Sequence, residues 1–277
     1  MARVTWCRRF AGGIASSVHQ LRIENGGEAA HRLVLKRWLR KDRVEGRAEQ
    51  HREAAALAAL ATSDLPAPRL VATSNGPETD GHPALLMTRL PGRVNLVPRH
   101  QWRWLQEMAV GLGRIHAFSA DVDPTPAWPR PGDHRVPIWS RRPDLWRAAA
   151  ELLDCPPPPG SNFIHGDYQH FNLLWAGERL TGVVDWTAAG LGHPDRDVGH
   201  CRLNLAVLFS PDWAHRFRLA YQAETGRRID PWWDVHEICM YSRAWPRFIP
   251  VQVAGRAPLD VKGMNRRVEQ LLADSLP

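Results

Sequence analysis

Two carboxylates and an amide stand close together near the middle of this 277-residue chain. Asp167 and Asn172 are five residues apart, and Asp185 follows thirteen residues later. The stretch 173–184 between them reads as strand, glycine-containing turn, strand. A hairpin of that length would return Asp185 to the side of Asn172 and Asp167. One carboxylate able to take a hydroxyl proton, with an amide oxygen and a second carboxylate able to hold a hard cation against phosphates, is a set suited to phosphoryl transfer. Magnesium takes oxygen ligands and keeps waters, so one Asn and one Asp suffice beside phosphate oxygens. On a blander reading, Asp167 and Asn172 cap turns and Asp185 ends a strand. A metal site drawing on His165, His170, His193 and His200 is a further alternative, but no H-x-x-x-H spacing on a clear helix supports zinc.

Other elements must position these side chains. Residues 10–23 read as a turn containing Gly12-Gly13 that opens into a strand, and Asn25-Gly26-Gly27 is a hairpin signal. Leu33 to Lys36 returns as a strand ending on one of only three lysines, the others being Lys41 and Lys262. Strong helix formers fill Glu45 to Leu60, and Pro66-Ala67-Pro68 ends that helix. Strands are expected from Arg69 and from Ala84, the second running into Pro91-Gly92. Pro98 to Phe118 is an expected helix, with Leu105, Met108, Ala109, Leu112 and Ile115 at helical spacing; His116 at its end reads as a hydrogen-bonded structural residue. Residues 119–160 are proline-rich, with a short helix near Asp144 to Leu153. Further on, Ser210-Pro211-Asp212 opens a helix that Gly226 stops, and Asp230-Pro231 opens another.

Composition narrows the class. A hydrophobic content of 44% and a charged content of 23% fit an ordinary globular protein long enough for a two-lobed fold. The net charge of +7 is scattered as single arginines and short pairs, without a basic block, so no nucleic-acid partner is expected. No C-x-x-C pair links Cys7, Cys155, Cys201 and Cys239, which read as thiols in a reducing compartment. The N-terminus lacks an apolar h-region and no apolar run approaches the roughly 20 residues that span a bilayer. A cytoplasmic protein without membrane contact is the expectation; oligomeric state is not legible.

The pattern His165-Gly166-Asp167 with Asn172 and then Val184-Asp185-Trp186 resembles the aminoglycoside phosphotransferase and choline kinase-like family. It is similar to the protein-kinase catalytic loop and metal-binding Asp, but Gly166 stands where a protein kinase has Arg and Trp186-Thr187 where it has Phe-Gly. The resemblance spans about residues 10 to 200. It implies an α+β, protein-kinase-like fold with a small, mostly antiparallel lobe (1–92, with one helix and a hinge) and a larger, mainly helical lobe (93–277). It further implies Asp167 as catalytic base, Asn172 and Asp185 as magnesium ligands, and Lys36 on the phosphates. Glu53, with Glu49 as competitor, would position Lys36. Ser16 and Ser17 would cradle phosphate, and Met87, Thr88 and Leu90 would line the adenine site. His165 and Asp197, with Asp195 as neighbour, would support the catalytic loop.

The resulting expectation is an ATP- and Mg2+-dependent O-phosphotransferase acting on a small molecule, either an antibiotic or a metabolite such as an amino alcohol or sugar. A nucleotide-binding pseudokinase is the alternative. From residue 200 onward, eleven Lys/Arg face eight Asp/Glu, which sits poorly with a polycationic acceptor. Trp213, Trp232, Trp233, Tyr241, Trp245 and Phe248 read mainly as core. Asp212, Asp234 and Glu237 remain as candidate ammonium contacts.

Overall fold

The computed structural model describes residues 2–10, 16–25, 31–39, 43–76, 79–126, 136–241 and 245–277. Five antiparallel strands form the first layer: β1 (Ala2–Arg9), β2 (Ser17–Asn25), β3 (His31–Arg37), β4 (Leu70–Ser74) and β5 (Ala84–Thr88), in the order β1-β2-β3-β5-β4. One helix, α1 (Arg43–Leu60), lies between β3 and β4 in the chain. Its Gln50 amide donates to the carbonyls of Ser74 and Ala84, which ties α1 to β4 and β5. Gly12, Gly13 and Ala15 of the glycine-rich turn, and Gly26-Gly27 of the hairpin turn, lie outside the described residues.

Strand β1 was not legible in the sequence. Ala2, Val4 and Trp6 alternate with Arg3 and Thr5, but all the described side chains are exposed, so the strand buries neither face and is held by its pairing with β2.

The second lobe is helical: α2 (Gln101–Ala117), α3 (Pro143–Leu153), α4 (Pro194–Leu208), α5 (Pro211–Thr225), α6 (Pro231–Tyr241), α7 (Trp245–Val253) and α8 (Val261–Ser275). Helix α4 is buried at every residue and packs against α5, α6 and α8. Two short strand pairs sit beside it. One joins β6 (Asn162–Ile164) to β9 (Gly190–Gly192); the other is the expected hairpin of β7 (Leu173–Ala176) and β8 (Arg179–Val183). The fold is thus the expected α+β arrangement of an antiparallel sheet lobe and a helical lobe.

Two helix starts differ from expectation. Helix α2 begins at Gln101, with His100 at its N-cap; Pro98 precedes it, just after a local turn in which Asn95 accepts the Val97 N–H. Ser210 occupies the N-cap of α5, but its side chain makes no capping bond. Gly226 ends α5 in the left-handed conformation, φ 68°, as its type permits. No helix among the described residues is long and apolar enough to cross a membrane.

Candidate active site

Lys36 sits one residue before the end of β3, buried, and joins the two lobes. Its ammonium lies 2.7 Å from Oε2 of Glu53 on α1 and 2.6 Å from Oδ1 of Asp185, just past β8. The Thr187 hydroxyl is 3.4 Å away and itself donates to Asp185 Oδ1. Burial alone would lower the Lys36 ammonium, but Asp185 and Glu53 outweigh it and push it well above the usual lysine range. The chain's choice of partner is therefore Glu53. Arg52, its neighbour, donates to the Thr187 carbonyl and adds a second tie from α1 to the segment after Asp185.

The catalytic-loop candidate begins where β6 ends. Gly166 has φ 78°, and a Cβ there would lie 2.2 Å from the Ala188 carbonyl oxygen. A side chain of any kind is excluded by backbone, which is the local reason for glycine before Asp167. His165 is buried and burial lowers its imidazole, so the ring is neutral. Its Nδ1 accepts the Asp167 N–H at 3.2 Å while Nε2 donates to the Val184 carbonyl at 3.1 Å. One ring thus fixes the loop bearing Asp167 against the residue preceding Asp185.

Asp197, on the first turn of α4, accepts the N–H groups of His165 and Gly166, both at 2.7 Å. Burial would raise its carboxyl, but the bond and charge of His116 and the loop N–H groups overcome this and hold it below the usual range. His116, at the end of α2, contacts Asp197 through Nε2 at 3.1 Å and Tyr221 through Nδ1 at 2.6 Å. Asp195 is turned elsewhere: it accepts the Asp230 N–H at 2.8 Å.

The Asp167 carboxylate is held on both oxygens. Oδ1 accepts from Gln169 Nε2 at 2.6 Å and lies 2.8 Å from His200 Nε2; Oδ2 accepts from Asn172 Nδ2 at 2.9 Å. The Asn172 carbonyl accepts the Val184 N–H at 2.9 Å, so the amide stands beside the strand leading to Asp185. Asp185 has φ 69°, a conformation unusual for a non-glycine residue, and its side chain is only partly buried. Lys36 lowers the Asp185 carboxyl to about 2 against the opposing effect of burial. Asp167, Asn172 and Asp185 therefore share one site with Lys36 and Glu53.

On the sheet side, Ser17 is buried at the start of β2, paired with Arg37, and Ser16 precedes it in a bend. Met87 is buried in β5 opposite Val34 of β3. Thr88 exchanges hydrogen bonds with Arg69, and Leu90 lies against Gly182 of β8.

Three acidic candidates for ammonium contacts are already engaged. Asp212 pairs with Arg216 one turn along α5. Asp234 is buried against Arg202. Glu237 is buried and bonded to His200 and His236, whose pull overcomes burial and lowers its carboxyl. His165, His170, His193 and His200 do not converge. His170 lies in an aromatic nest with Trp104 and Phe209, where burial lowers it to about 3, and His193 caps α4. The aromatic residues are largely core: Trp232 and Tyr241 are buried, and Trp213 stacks on Phe209 at 4.1 Å. Asp197 stands where the sequence expected it, against the catalytic loop, but the bonds of Gln169 and His200 to Asp167 and of His116 to Asp197 were not expected. A usable signal existed for His200, three residues after Asp197 on one helix face.

A family model described as the phosphotransferase enzyme family matches residues 6–232. The chain belongs to this family. Within it, viomycin phosphotransferase of Streptomyces vinaceus is 29% identical over 213 residues, 68% of this chain and 71% of that one. Among solved structures, aminoglycoside phosphotransferase APH(4)-Ia superposes with a TM-score of 0.63 at 16% identity, covering 98% of this chain and 94% of that one. A thermostable mutant of APH(4)-Ia, solved with ADP and hygromycin B, gives 0.61 over the same shares. Macrolide 2'-phosphotransferase MphH from Brachybacterium faecium gives 0.58 at 20% identity, covering 98% and 91%. At these identities the structures carry the kinase-like fold. The family carries the activity: this phosphotransferase is an enzyme of the small-molecule kinase type, with an alcohol group as acceptor.

Proposed function

We propose that this phosphotransferase moves the γ-phosphoryl group of ATP, with magnesium, to a hydroxyl of a small-molecule antibiotic. The observation that carries the reading is Lys36 spanning Glu53 and Asp185 while Asn172 reaches Asp167. Antibiotic as the acceptor class is supported by the relatives: one is named for viomycin, and APH(4)-Ia was solved with hygromycin B and ADP.

Roles follow from hydrogen-bond capacity. A carboxylate oxygen offers about two acceptor positions. Oδ1 of Asp167 has both filled, by Gln169 and His200, whereas Oδ2 meets only Asn172 among the described residues. Oδ2 is therefore the atom for the acceptor hydroxyl. The hydroxyl oxygen forms a bond to the γ-phosphorus as the bond to the β,γ-bridging oxygen breaks. ADP leaves with that electron pair, and the hydroxyl proton passes to Asp167 Oδ2. Asn172 and Asp185 suit magnesium, because the Asn172 N–H side is spent on Asp167 and leaves its amide oxygen, and Asp185 is held ionised. When bound, magnesium would neutralise charge on the phosphate oxygens. Lys36 would contact phosphate, Glu53 would hold it there, and Ser16 and Ser17 would lie on the phosphate side. The Thr88 carbonyl and Leu90 N–H would read adenine over Met87. On this reading residues 1–92 bind the nucleotide and 93–277 supply the catalytic loop and acceptor site.

The test is ADP release from ATP and magnesium across a panel containing viomycin, hygromycin B, a macrolide, an amino alcohol and a sugar, with Asp167→Ala as control. Release that depends on the acceptor and disappears in the variant is expected. ATP binding without release for any acceptor would favour a non-catalytic nucleotide sensor, and absence of ATP binding would end the reading.

A further inference from the structure

His200 lies on α4 one turn beyond Asp197, buried between carboxylates from two different elements. Its Nε2 is 2.8 Å from Asp167 Oδ1, and its Nδ1 is 2.9 Å from Glu237 Oε2 on α6. A neutral imidazole has one N–H and one lone pair. It could serve one of these carboxylates but would set its lone pair against the other. With both carboxylates ionised, both contacts are satisfied together only when the ring carries two protons.

The surroundings balance that charge. Asp167 and Gln169 face the ring from the catalytic loop, Glu237 and its partner His236 from α6, and Asn204 from the next turn of α4. Arg196 lies 3.9 Å from the other oxygen of Glu237, and neutral His170 is nearby. Burial by itself would lower His200, yet the bonds to Asp167 and Glu237 outweigh it and raise the ring to about 10.

We infer that His200 is a positioning residue for phosphoryl transfer: as an imidazolium it clamps Oδ1 of Asp167 and anchors it, through Glu237, to helix α6. This rests on the reading of Asp167 as proton acceptor. The loop backbone at Asp167 is fixed by His165, but its carboxylate could still rotate about two side-chain torsions. The clamp removes that freedom and leaves Oδ2 facing the acceptor. It also joins the catalytic carboxylate to a helix of the larger lobe that shares no chain segment with the catalytic loop.

Two amide substitutions separate the two contacts. His200→Asn places an N–H near the Nδ1 position, toward Glu237, and removes the donor to Asp167. His200→Gln places an N–H near the Nε2 position, toward Asp167. With whichever panel acceptor gives ADP release in the wild type, His200→Asn should lower kcat roughly 10- to 100-fold, as misplacement of a reacting group does. KM for ATP should stay near wild type, and His200→Gln should recover most of the kcat loss. Unchanged kcat in His200→Asn, or equal loss in both variants alongside equal loss of thermal stability, would overturn the assignment. Ring nitrogen NMR gives a readout independent of turnover. The His200 ring should stay doubly protonated between roughly pH 6 and pH 9, where free histidine is mostly neutral at the upper end. That signal should vanish in His200→Asn and shift in Asp167→Asn. A neutral His200 ring, or one indifferent to Asp167→Asn, would overturn the inference even if no acceptor in the panel supports turnover.

Discussion

The carboxylate of Asp197 accepts the backbone N–H of His165 at 2.7 Å, across thirty-two residues of chain. The same side chain accepts the Gly166 N–H, so one buried residue of α4 holds the turn from which Asp167 projects. Asp197→Ala would leave two buried N–H groups unpaired, at about 1–3 kcal/mol each. The expected result is a fall in unfolding free energy of that order, read by urea denaturation, with a parallel loss of turnover. Because the folded-state Asp197 carboxyl lies below its usual range, its contribution is present above ordinary carboxylate pKa values. It is lost as pH falls through the depressed folded value. The gap between wild type and Asp197→Asn should therefore be full at neutral pH and shrink in acid.

Gly166→Ala tests the close approach of the Ala188 carbonyl. The positive φ alone costs about 1–3 kcal/mol for a residue with a Cβ, and the clash adds to it. Circular dichroism melting should show a clear drop. Gly177→Ala, at φ 62° with no atom near the added Cβ, should show the conformational cost only.

On the proposed reading Lys36 both pairs with Glu53 and contacts phosphate, and a paired substitution distinguishes the two. Lys36→Met strands the buried Glu53 carboxylate, a loss on the order of 3–5 kcal/mol for a broken buried pair. Adding Glu53→Leu should restore most of the stability, because the uncompensated charge is gone. Nucleotide affinity should stay lost in both variants. A double variant that regains fluorescent-nucleotide binding would show that Lys36 does not contact phosphate.

His200 gives a pH signature of opposite sign to Asp197. Its ring is raised in the folded state to about 10. Its contribution is thus complete below the unfolded value near 6.5 and is lost progressively as pH rises toward about 10. The stability difference between wild type and His200→Asn should be largest in mildly acidic solution and narrow steadily through alkaline pH. A difference independent of pH would contradict an imidazolium in the fold.

Asp167→Ala should leave nucleotide binding near wild type while lowering kcat by about 10²–10⁴-fold, the range for a lost general base. Isothermal titration with AMP-PNP and single-turnover kinetics would separate the two effects.

The sequence by itself determined the local elements and the spacing of the central motif. Four intervening residues and a hairpin suffice to bring Asp167, Asn172 and Asp185 together, because hairpin geometry is set by nearby residues. Helical spacing in α2 and the Ala-rich α1 were legible for the same reason: their periodicity is local. Tertiary structure decided what depends on distant elements. The choice of Glu53 is fixed by where α1 lies against β3, since Glu49 and Glu53 share a helix face. Strand β1, with every described side chain exposed, alternates only over Ala2 to Trp6 and is held by pairing with β2. Asp234 and Glu237 looked available as surface carboxylates until α4 brought Arg202 and His200 to them, because a buried charge takes whichever counter-charge the packing supplies. His200 owes its charge to the same cause. Its neighbours in sequence say nothing of it, and the two carboxylates that hold its second proton come from a loop and a helix far along the chain.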